Sequence, residues 1–312
     1  MVYPFDEISI QLNRWVLLVI ILIGILGNLL NIFVFIRPVY NHHVCSWYLF
    51  TLSVNNFIYS FIVLMYHFLT DGYQIQVLMN SIPLCQFISY MNTFCTSLSH
   101  YLIVLATIDR FCASSTNVRF RRFNSFNMMP WSILLMILFC ALLAISSPII
   151  TELKSIDELG CNIRSTTIYN KFYLIILLIL FVIVAPILMI IFEYLTMRNI
   201  KLAIDRPMAV SKCRLMEANQ TKLVLIVLTT HIALCLPEWI EYLMLLQPNS
   251  FQPFFFVQTI IHIPIYFSFA IPVICFVLNS IQYRRELKKM IPYIVQINMR
   301  IDHDPADHAI QL

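Results

Sequence analysis

The chain alternates long apolar stretches with short polar segments. A helix needs about 20 apolar residues, each rising about 1.5 Å, to cross the hydrocarbon core of a bilayer. Seven stretches approach or exceed this length, and each predicts a membrane-spanning helix. They cover residues 15–36, 45–69, 83–108, 129–150, 172–192, 223–246 and 254–279. The sixth is the least regular, because Glu238 and Glu241 interrupt its second half.

The composition agrees with this pattern. Of the 312 residues, 60% are hydrophobic and only 12% are charged, and the mean hydropathy is +0.81. Soluble domains carry about 25% charged residues. We therefore predict an all-α membrane protein in which residues 15–279 form a seven-transmembrane helix bundle. The sequence contains no HExxH, GxSxG or phosphate-loop motif, so we expect neither an enzyme nor a cofactor.

Basic residues predict the orientation of the bundle. The second, fourth and sixth loops contain only Lys154, Arg164 and Lys171. Other loops contain Arg119, Arg121, Arg122, Arg198, Lys201, Arg206, Lys212, Arg214, Arg284, Arg285, Lys288 and Lys289. Lys and Arg accumulate on the cytoplasmic side of membranes. We therefore expect residues 1–14 outside the cell and the carboxyl terminus in the cytoplasm of a plasma-membrane protein. The basic face meets anionic lipid, so the net charge of +4 indicates no nucleic-acid partner.

The segment after the seventh stretch has a different pattern. Residues 280–292 combine apolar Ile281, Leu287 and Met290 with four basic side chains, which predicts a short amphipathic helix on the membrane surface. Residues 293–312 are polar, and we expect them to form a disordered cytoplasmic tail.

Two of the nine cysteines differ from the rest in their predicted surroundings. Seven fall within apolar stretches or on the cytoplasmic side, as small buried side chains do. Cys85, at the start of the third stretch, and Cys161, in the fourth loop, face outward. An oxidising compartment favours one disulfide between them, which would tie this loop to the third helix.

Charged residues stand at the other end of the third helix. Asp109, Arg110 and Phe111 follow its apolar part, and Cys85 lies 25 residues before Arg110. A charge at the edge of the hydrocarbon requires a partner and usually marks function. The alternative is an ordinary helix end whose side chains reach the membrane surface.

These residues, with others at regular spacing, resemble the rhodopsin-like G-protein-coupled receptors over about residues 15–290, with DRF in place of that family's DRY. The helix landmarks of the resemblance are Asn28 in GILGN, Asn56 in LSVNN, Pro186, Pro237 in LCLPEW and Pro272 in IPVIC. It implies a receptor that is activated by an extracellular ligand and signals to a heterotrimeric G protein. Within the family, the chain resembles invertebrate neuropeptide receptors.

The resemblance also implies an activation switch at the cytoplasmic side. Arg110 would pair with Glu217, twenty residues before Pro237, and hold the inactive state until the sixth helix moves outward. Tyr194, eight residues after Pro186, belongs to the same set. In the alternative, Glu217 pairs in water with Lys222 or Arg214.

Several positions depart from the family. The family's interior sodium site uses an aspartate of the second helix and neighbouring polar residues. Here the corresponding residues are Asn56, Ser99 and Ile271, which carry no negative charge, so we expect no modulation by sodium. Cys235 replaces the sixth-helix tryptophan, and Ile271 and Cys275 replace the asparagine and tyrosine of NPxxY. The signal relay between the ligand site and Arg110 is therefore rewritten.

His100 and His231 occupy this relay, where the family has an apolar and an aromatic residue. We expect the two rings to touch, so that protonation biases activation. In the alternative, both are satisfied core histidines without such a role.

Glu238 and Glu241 are the first candidates for ligand contact, because a charge in the outward half of a membrane helix must face the bundle or its mouth. Further candidates are Tyr66, His67, Asn92, Thr96, Gln258, His262 and Tyr266. Together they suit a short peptide with a basic residue. Asn92 replaces the aspartate of amine receptors, and the seventh helix has no lysine for a retinal Schiff base.

Other hypotheses remain open at this point. In one, the glutamates are solvated and the tyrosines line the membrane interface. The rewritten sixth and seventh helices also suit a chemosensory receptor for small organic ligands. A transporter or nonsignalling membrane scaffold is the remaining hypothesis, although the sequence shows no internal repeat.

Overall fold

The structure is a computed structural model that describes residues 4–75, 81–115, 117–123, 125–153, 161–163, 168–204, 212–245 and 255–290. At several of these positions, among them Cys161, Glu217, Glu238 and Glu241, it describes the backbone and not the side chain.

Seven long helices and one short helix follow one another along the chain. They are α1 (Pro4–Phe35), α2 (Val44–Gly72), α3 (Ile82–Ser114), α4 (Met129–Ala144), α5 (Ile168–Leu177, Leu178–Val184 and Ala185–Ile204 in succession), α6 (Lys212–Leu245), α7 (Phe255–Asn279) and α8 (residues 281–290). The short helical segments Pro38–Asn41, Val118–Phe123 and Ser146–Ile150 lie between them. The predicted helices are thus present.

Six of the described helices are long and apolar enough to cross a membrane. Within the described part of α6, the apolar helical segment Thr221–Pro237 is shorter. Large apolar side chains cover the outside of the bundle: Leu135 of α4 is 69% exposed and Leu142 is 68% exposed. Such a surface would associate in water, so it faces lipid.

The helices extend beyond the apolar stretches that predicted them. α1 begins at Pro4 rather than near residue 15, and its first turns bury Ser9 and Asn13. Arg14 donates a hydrogen bond from Nε to the carbonyl of Gly72 at 2.5 Å, which joins α1 to the end of α2. A hydropathy boundary marks where the lipid ends, whereas a helix continues as long as its backbone bonds and packing are satisfied.

A small β-hairpin modifies the all-α prediction. Strand β1 (Thr151–Leu153) pairs antiparallel with β2 (Cys161–Ile163), with Leu153 opposite Cys161. Backbone groups outside a helix need partners, and pairing two strands supplies them. β1 packs against α3. We call this end of the bundle the hairpin end and the opposite end, where α3 finishes, the Arg110 end.

The amphipathic pattern after α7 forms α8, residues 281–290. Its inner face buries Tyr283 and Glu286, while Ile281 is 62% exposed. The Tyr283 hydroxyl donates to Oδ1 of Asn31 in α1 at 2.6 Å, and Glu286 pairs with Lys289 at 2.6 Å and with Arg37 at 3.6 Å. The buried Tyr283–Asn31 hydrogen bond and the Glu286–Arg37 ion pair therefore hold α8 against the bundle, while the Glu286–Lys289 pair lies within α8.

The first prediction concerns this anchor. Tyr283→Phe removes the donor to Asn31 and leaves a buried acceptor unpaired, so we expect a loss of about 1–3 kcal/mol in the free energy of unfolding. Thermal unfolding of the purified protein in detergent measures the change. Tyr194→Phe is the control, because the Tyr194 side chain is 67% exposed and should leave the midpoint unchanged. Equal midpoints for the two variants would contradict the role of the Tyr283 hydroxyl.

Two glycines allow α1 to approach its neighbours closely. A Cβ at Gly24 would collide with Oγ of Ser60 in α2, and one at Gly27 would collide with Cγ1 of Val273 in α7. In a bilayer, small residues let helix backbones pack against each other. The contact between α1 and α7 thus depends on Gly27.

Candidate functional site

The last turns of α3 bury an ion pair. Asp109 is 5% exposed and Arg110 is 3% exposed. Arg110 donates to Oδ2 of Asp109 from Nη2 at 2.6 Å and from Nε at 3.2 Å. Isolated charges at this depth would each lose several kcal/mol of solvation, so the pair can remain charged only because it is matched. An arginine held in this way is a fixed positive charge at the Arg110 end.

Residues from several elements surround this pair. The Phe111 ring contacts Phe120, with centroids 5.5 Å apart, and Phe192 of α5, with centroids 5.6 Å apart. His43 precedes α2. Burial, and secondarily the charge of Arg110, lowers the pKa of His43, which keeps this imidazole neutral at pH 7. His43 therefore adds no charge next to the Asp109–Arg110 pair.

The remaining members of the predicted switch are placed differently. Glu217 lies in the first turns of α6, and its side chain is outside the described residues. The pairing of Glu217 with Arg110 thus stays a prediction. Tyr194 does not point toward the pair, because its side chain is 67% exposed on the outside of α5. The side chain that faces inward there is its neighbour, Glu193.

Glu193 is a buried acid that the sequence analysis missed. It is 5% exposed and lies on the same face as Pro186, Met189 and Thr196, all of which are buried. Neither carboxylate oxygen has a hydrogen-bond partner within the described part of the chain. The fifth apolar stretch was predicted to end at residue 192 because Glu193 is charged. Glu193 lies seven residues after Pro186, however, and this spacing indicates that the two residues share the inner face of the helix.

The second prediction compares two buried acids. Glu193→Gln removes a charge without a described partner, so we expect stability to rise by about 1 kcal/mol. Glu286→Gln weakens pairs with Arg37 and Lys289 and should lower stability. Thermal unfolding of both variants tests the opposite signs. If Glu193→Gln is as destabilising as Glu286→Gln, Glu193 has a partner in the folded protein.

Asparagines connect the helices in the middle of the bundle. Asn28 donates from Nδ2 to the carbonyls of Gly24 at 2.8 Å and of Phe269 in α7 at 2.9 Å. Asn56 accepts from Ser99 at 2.8 Å. Its neighbour Asn55, which the sequence analysis did not single out, donates to the same Ser99 hydroxyl at 2.9 Å. Asn55, Ser99 and Asn56 thus form one hydrogen-bonded group, whereas Oδ1 of Asn28 has no partner among the described residues.

Three helices contain a proline at a predicted landmark position. Pro186 follows the wide-turn segment Leu178–Val184 of α5, and α6 and α7 contain Pro237 and Pro272. Proline cannot donate the backbone hydrogen bond of its turn, so each of these helices has a local weak point. Pro237 lies two residues after Cys235.

Three side chains of the predicted relay meet between α3 and α6. The rings of His100 and His231 are edge to face, with centroids 4.6 Å apart. Sγ of Cys235 lies 3.7 Å from Nε2 of His231, one turn away on α6. All three residues are buried. The structure thus brings the predicted histidines together, and the effect of protonation on activation stays a prediction.

Trp239 adds a ring to this group. It is 6% exposed and its ring centroid lies 6.4 Å from that of His100. The sequence analysis looked for a tryptophan at position 235 and did not weigh the one a turn later. Position 239 shares a face with Cys235 through the i, i+4 spacing, which was the available signal.

A small cavity of about 20 Å³ lies on the hairpin-end side of His100. Asn92, Thr96 and His100 give it polar groups, and Phe181 and Trp239 give it aromatic walls. Oδ1 of Asn92 accepts from the Tyr59 hydroxyl at 3.1 Å. Two of the predicted ligand-contact residues, Asn92 and Thr96, therefore line one cavity.

Four other ligand candidates form a second group between α2 and α7. Ring centroids are 5.7 Å apart for Tyr66 and His67, 5.7 Å for His67 and Tyr266, and 5.9 Å for His262 and Tyr266. His67 Nδ1 lies 2.9 Å from Oδ2 of Asp71, an acid that the sequence analysis passed over. The rings form a continuous aromatic surface with a carboxylate at its edge.

The remaining candidates are less well defined. Gln258 is exposed near the start of α7, one helical turn before His262. The backbones of Glu238 and Glu241 lie in the last turns of α6, and their side chains are outside the described residues.

Cys85 and Cys161, which are predicted to form a disulfide between the fourth loop and α3, both lie at the hairpin end. Cys85 is fully buried in the first turn of α3 and is not one of the free cysteines. Cys161 is the first residue of β2, and its partner strand packs against α3. The side chain of Cys161 is outside the described residues.

A lipid-facing helical bundle with a buried arginine at one end and a cavity toward the other has the layout of a membrane receptor. The family model of the seven-transmembrane receptors of the rhodopsin family matches residues 27–284. The chain therefore belongs to this family of signalling receptors, which are not enzymes. A comparison with curated proteins gave no match.

Proposed function

We propose that the protein is a G-protein-coupled receptor that binds a short extracellular peptide, as neuropeptide receptors do, and passes the signal to a heterotrimeric G protein. The buried Asp109–Arg110 pair at the end of α3 is the observation that carries this proposal. It is a charged group at the edge of a lipid-facing bundle, where charge is retained for function.

The proposal includes an orientation. The hairpin end faces the outside of the plasma membrane, and the Arg110 end faces the cytoplasm. The distribution of Lys and Arg supports this, since α8, which follows α7, carries Arg284, Arg285, Lys288 and Lys289 beside its buried inner face. A disulfide between Cys85 and Cys161 then lies in the oxidising compartment and fixes the hairpin to α3.

The proposed switch acts at the Arg110 end. In the inactive state Arg110 pairs with Asp109 and with Glu217 across to α6. An agonist that stabilises the outward position of α6 separates Glu217 from Arg110 and shifts the population toward the active state. Pro237 lacks the backbone N–H that would bond within α6, so the movement is expected to occur about this residue.

A third prediction tests the switch. Glu217→Ala removes one half of the proposed lock and should raise basal G-protein activation in cells without ligand. Glu7→Ala, at an exposed acid of α1 on the other side of the membrane, is the control and should leave basal activity unchanged. Basal activity that is the same in Glu217→Ala and wild type would exclude the lock.

The ligand class follows from charge and aromatic surface. Asp71 is 31% exposed at the edge of the Tyr66–His67–Tyr266 rings, and Glu238 and Glu241 add acidic positions to the last turns of α6. A basic side chain can pair with these acids while an aromatic neighbour stacks on the rings. A peptide supplies both groups at once.

A receptor for small organic molecules is the second candidate. The cavity beside Asn92 and Trp239 favours it, because aromatic walls with a few polar groups are typical of small-molecule sites. Such a ligand would need no basic group, since Asn92 carries no charge.

One experiment separates the two candidates. A peptide library is screened against cells that express the receptor with a promiscuous G protein, and hits are compared on wild type, Glu238→Gln and Asp71→Asn. We expect peptides with Lys or Arg to activate, and to lose potency when either acid is neutralised. Glu7→Gln is the matched exposed acid that should retain potency. Activation by uncharged small molecules alone, with equal potency on all variants, would overturn the peptide proposal.

A further inference from the structure

His100, His231 and Cys235 have the composition of a metal site. One ring nitrogen from each histidine and Sγ of Cys235 all lie within 4.8 Å of one another. Their exposed fractions are 1%, 5% and 0%. Imidazole and thiolate are the ligands that zinc takes in proteins, and burial keeps competing water away.

The hydrogen bonding of His100 leaves its Nε2 able to bind a metal ion. A backbone carbonyl can only accept, so Nδ1 of His100 donates to the carbonyl of Thr96, at 2.7 Å. In the neutral ring, Nε2 then carries a lone pair. This Nε2 is buried and has no hydrogen-bond partner among the described residues. A histidine that binds a metal through one nitrogen usually donates from the other to a carbonyl or carboxylate, which fixes its orientation.

The spacing on α6 also fits a metal ion. Positions 231 and 235 are one turn apart and share a face. A tetrahedral zinc ion, with about 2.3 Å to sulfur and about 2.0–2.1 Å to nitrogen, holds these two ligand atoms about 3.6 Å apart. Sγ of Cys235 and Nε2 of His231 are 3.7 Å apart. The pair on α6 therefore needs almost no rearrangement, and His100, whose ligand atom lies within 4.8 Å of the other two, needs a movement of up to about 1.4 Å.

A fourth coordination position is available beside His231. A small cavity lined by Asn56, Ser99 and His231 has room for about one water molecule. Zinc sites with three protein ligands keep a water in the fourth position. The larger cavity is lined by Asn92, Thr96 and His100, so polar side chains lie next to His100 on the hairpin-end side.

We propose that His100, His231 and Cys235 bind Zn²⁺, with a water as fourth ligand, and that the ion clamps α3 to α6. The three ligands come from the two helices that face each other here, and Cys235 lies two residues before Pro237. Resting on the proposed function, the clamp opposes the outward movement of α6, so zinc acts as a negative regulator of signalling.

Binding is tested on the purified full-length receptor, apart from signalling. We expect Zn²⁺ to raise Tm in a concentration-dependent way, because a ligand of the native state stabilises it. Co²⁺ should give the absorption bands of a tetrahedral thiolate site. His231→Phe and Cys235→Ala should each weaken Zn²⁺ binding by about tenfold or more and abolish the Co²⁺ bands. Cys140→Ala, at another fully buried free cysteine, is the matched control and should bind as wild type.

Three binding results would overturn the site. They are the absence of a Tm shift in wild type, an equal shift in Cys235→Ala and wild type, and binding of Cu⁺ without Zn²⁺. Because Cys235→Ala and Cys140→Ala each remove one buried sulfur, a folding defect alone would affect both.

Signalling is measured separately in cells. We expect added Zn²⁺ to lower basal and agonist-driven G-protein activation in wild type and to have no effect in Cys235→Ala. If Zn²⁺ binds but does not change signalling of the wild type, the proposed clamp is excluded while the metal site stands. Absence of any G-protein response, with binding intact, would contradict the proposed function and not the metal site.

Discussion

Arg110→Leu is expected to abolish ligand-driven G-protein activation and to lower stability. The substitution removes the only charge that compensates Asp109 among the described residues, and Asp109 is 5% exposed. Breaking a buried pair by removing one partner costs about 3–5 kcal/mol, because the other charge stays buried. We expect less folded receptor at the cell surface and no signal from the fraction that remains. Surface labelling and G-protein activation per surface receptor measure the two effects.

A second variant separates signalling from stability. In Asp109→Asn/Arg110→Gln both charges are removed, so the penalty of an unpaired charge disappears and surface expression should recover. Signalling should not recover, because the arginine itself is absent. If the double variant signals as wild type, the pair serves only to stabilise the bundle, and the proposed function loses its main support.

Gly27→Ala is expected to have the next largest effect, through the packing of α1 on α7. The new Cβ would collide with Cγ1 of Val273, so the helices must move apart. The adjacent Asn28 bonds to the Phe269 carbonyl at 2.9 Å, and this bond would stretch. Overpacking a tight contact costs about 1–3 kcal/mol. Thermal unfolding of the purified receptor measures the loss.

A rescue makes the explanation specific. Val273→Ala removes the methyl group in the way, so Gly27→Ala/Val273→Ala should be more stable than Gly27→Ala alone. Gly72→Ala is the control: its Cβ would meet the flexible Arg14 side chain at 3.3 Å, and the effect should be smaller. A double variant that is less stable than either single variant would show that Val273 is not the obstacle.

Much of the fold follows from local patterns. The apolar stretches predicted all seven long helices, and the amphipathic pattern predicted α8, because lipid leaves the backbone few alternatives to a helix. Family membership could be recognised from Asn28, Arg110 and the three prolines, since these residues act at defined depths within single helices. The ends of the helices were less predictable, as the start of α1 at Pro4 shows.

The site was only partly predictable. His100 and His231 were expected to meet, and their rings lie 4.6 Å apart. Glu193 was missed because its charge was taken as the end of a span, although the buried face of α5 continues through it. Asn55 and Trp239 were missed because neighbouring positions matched the family pattern better. That both Asn55 and Asn56 bond to Ser99 of α3 depends on a rotation of α2 that no local pattern specifies.

The sequence by itself determined that this protein is a helical membrane receptor of the rhodopsin family, because hydrophobic length and residue spacing are local properties. Tertiary structure alone decided which side chains share a space: His100 with His231 and Cys235, Glu193 on the inner face, and Tyr194 on the outside. The physical reason is that a contact between helices depends on their rotation and tilt. These follow from the packing of the whole bundle, including close approaches such as that at Gly27.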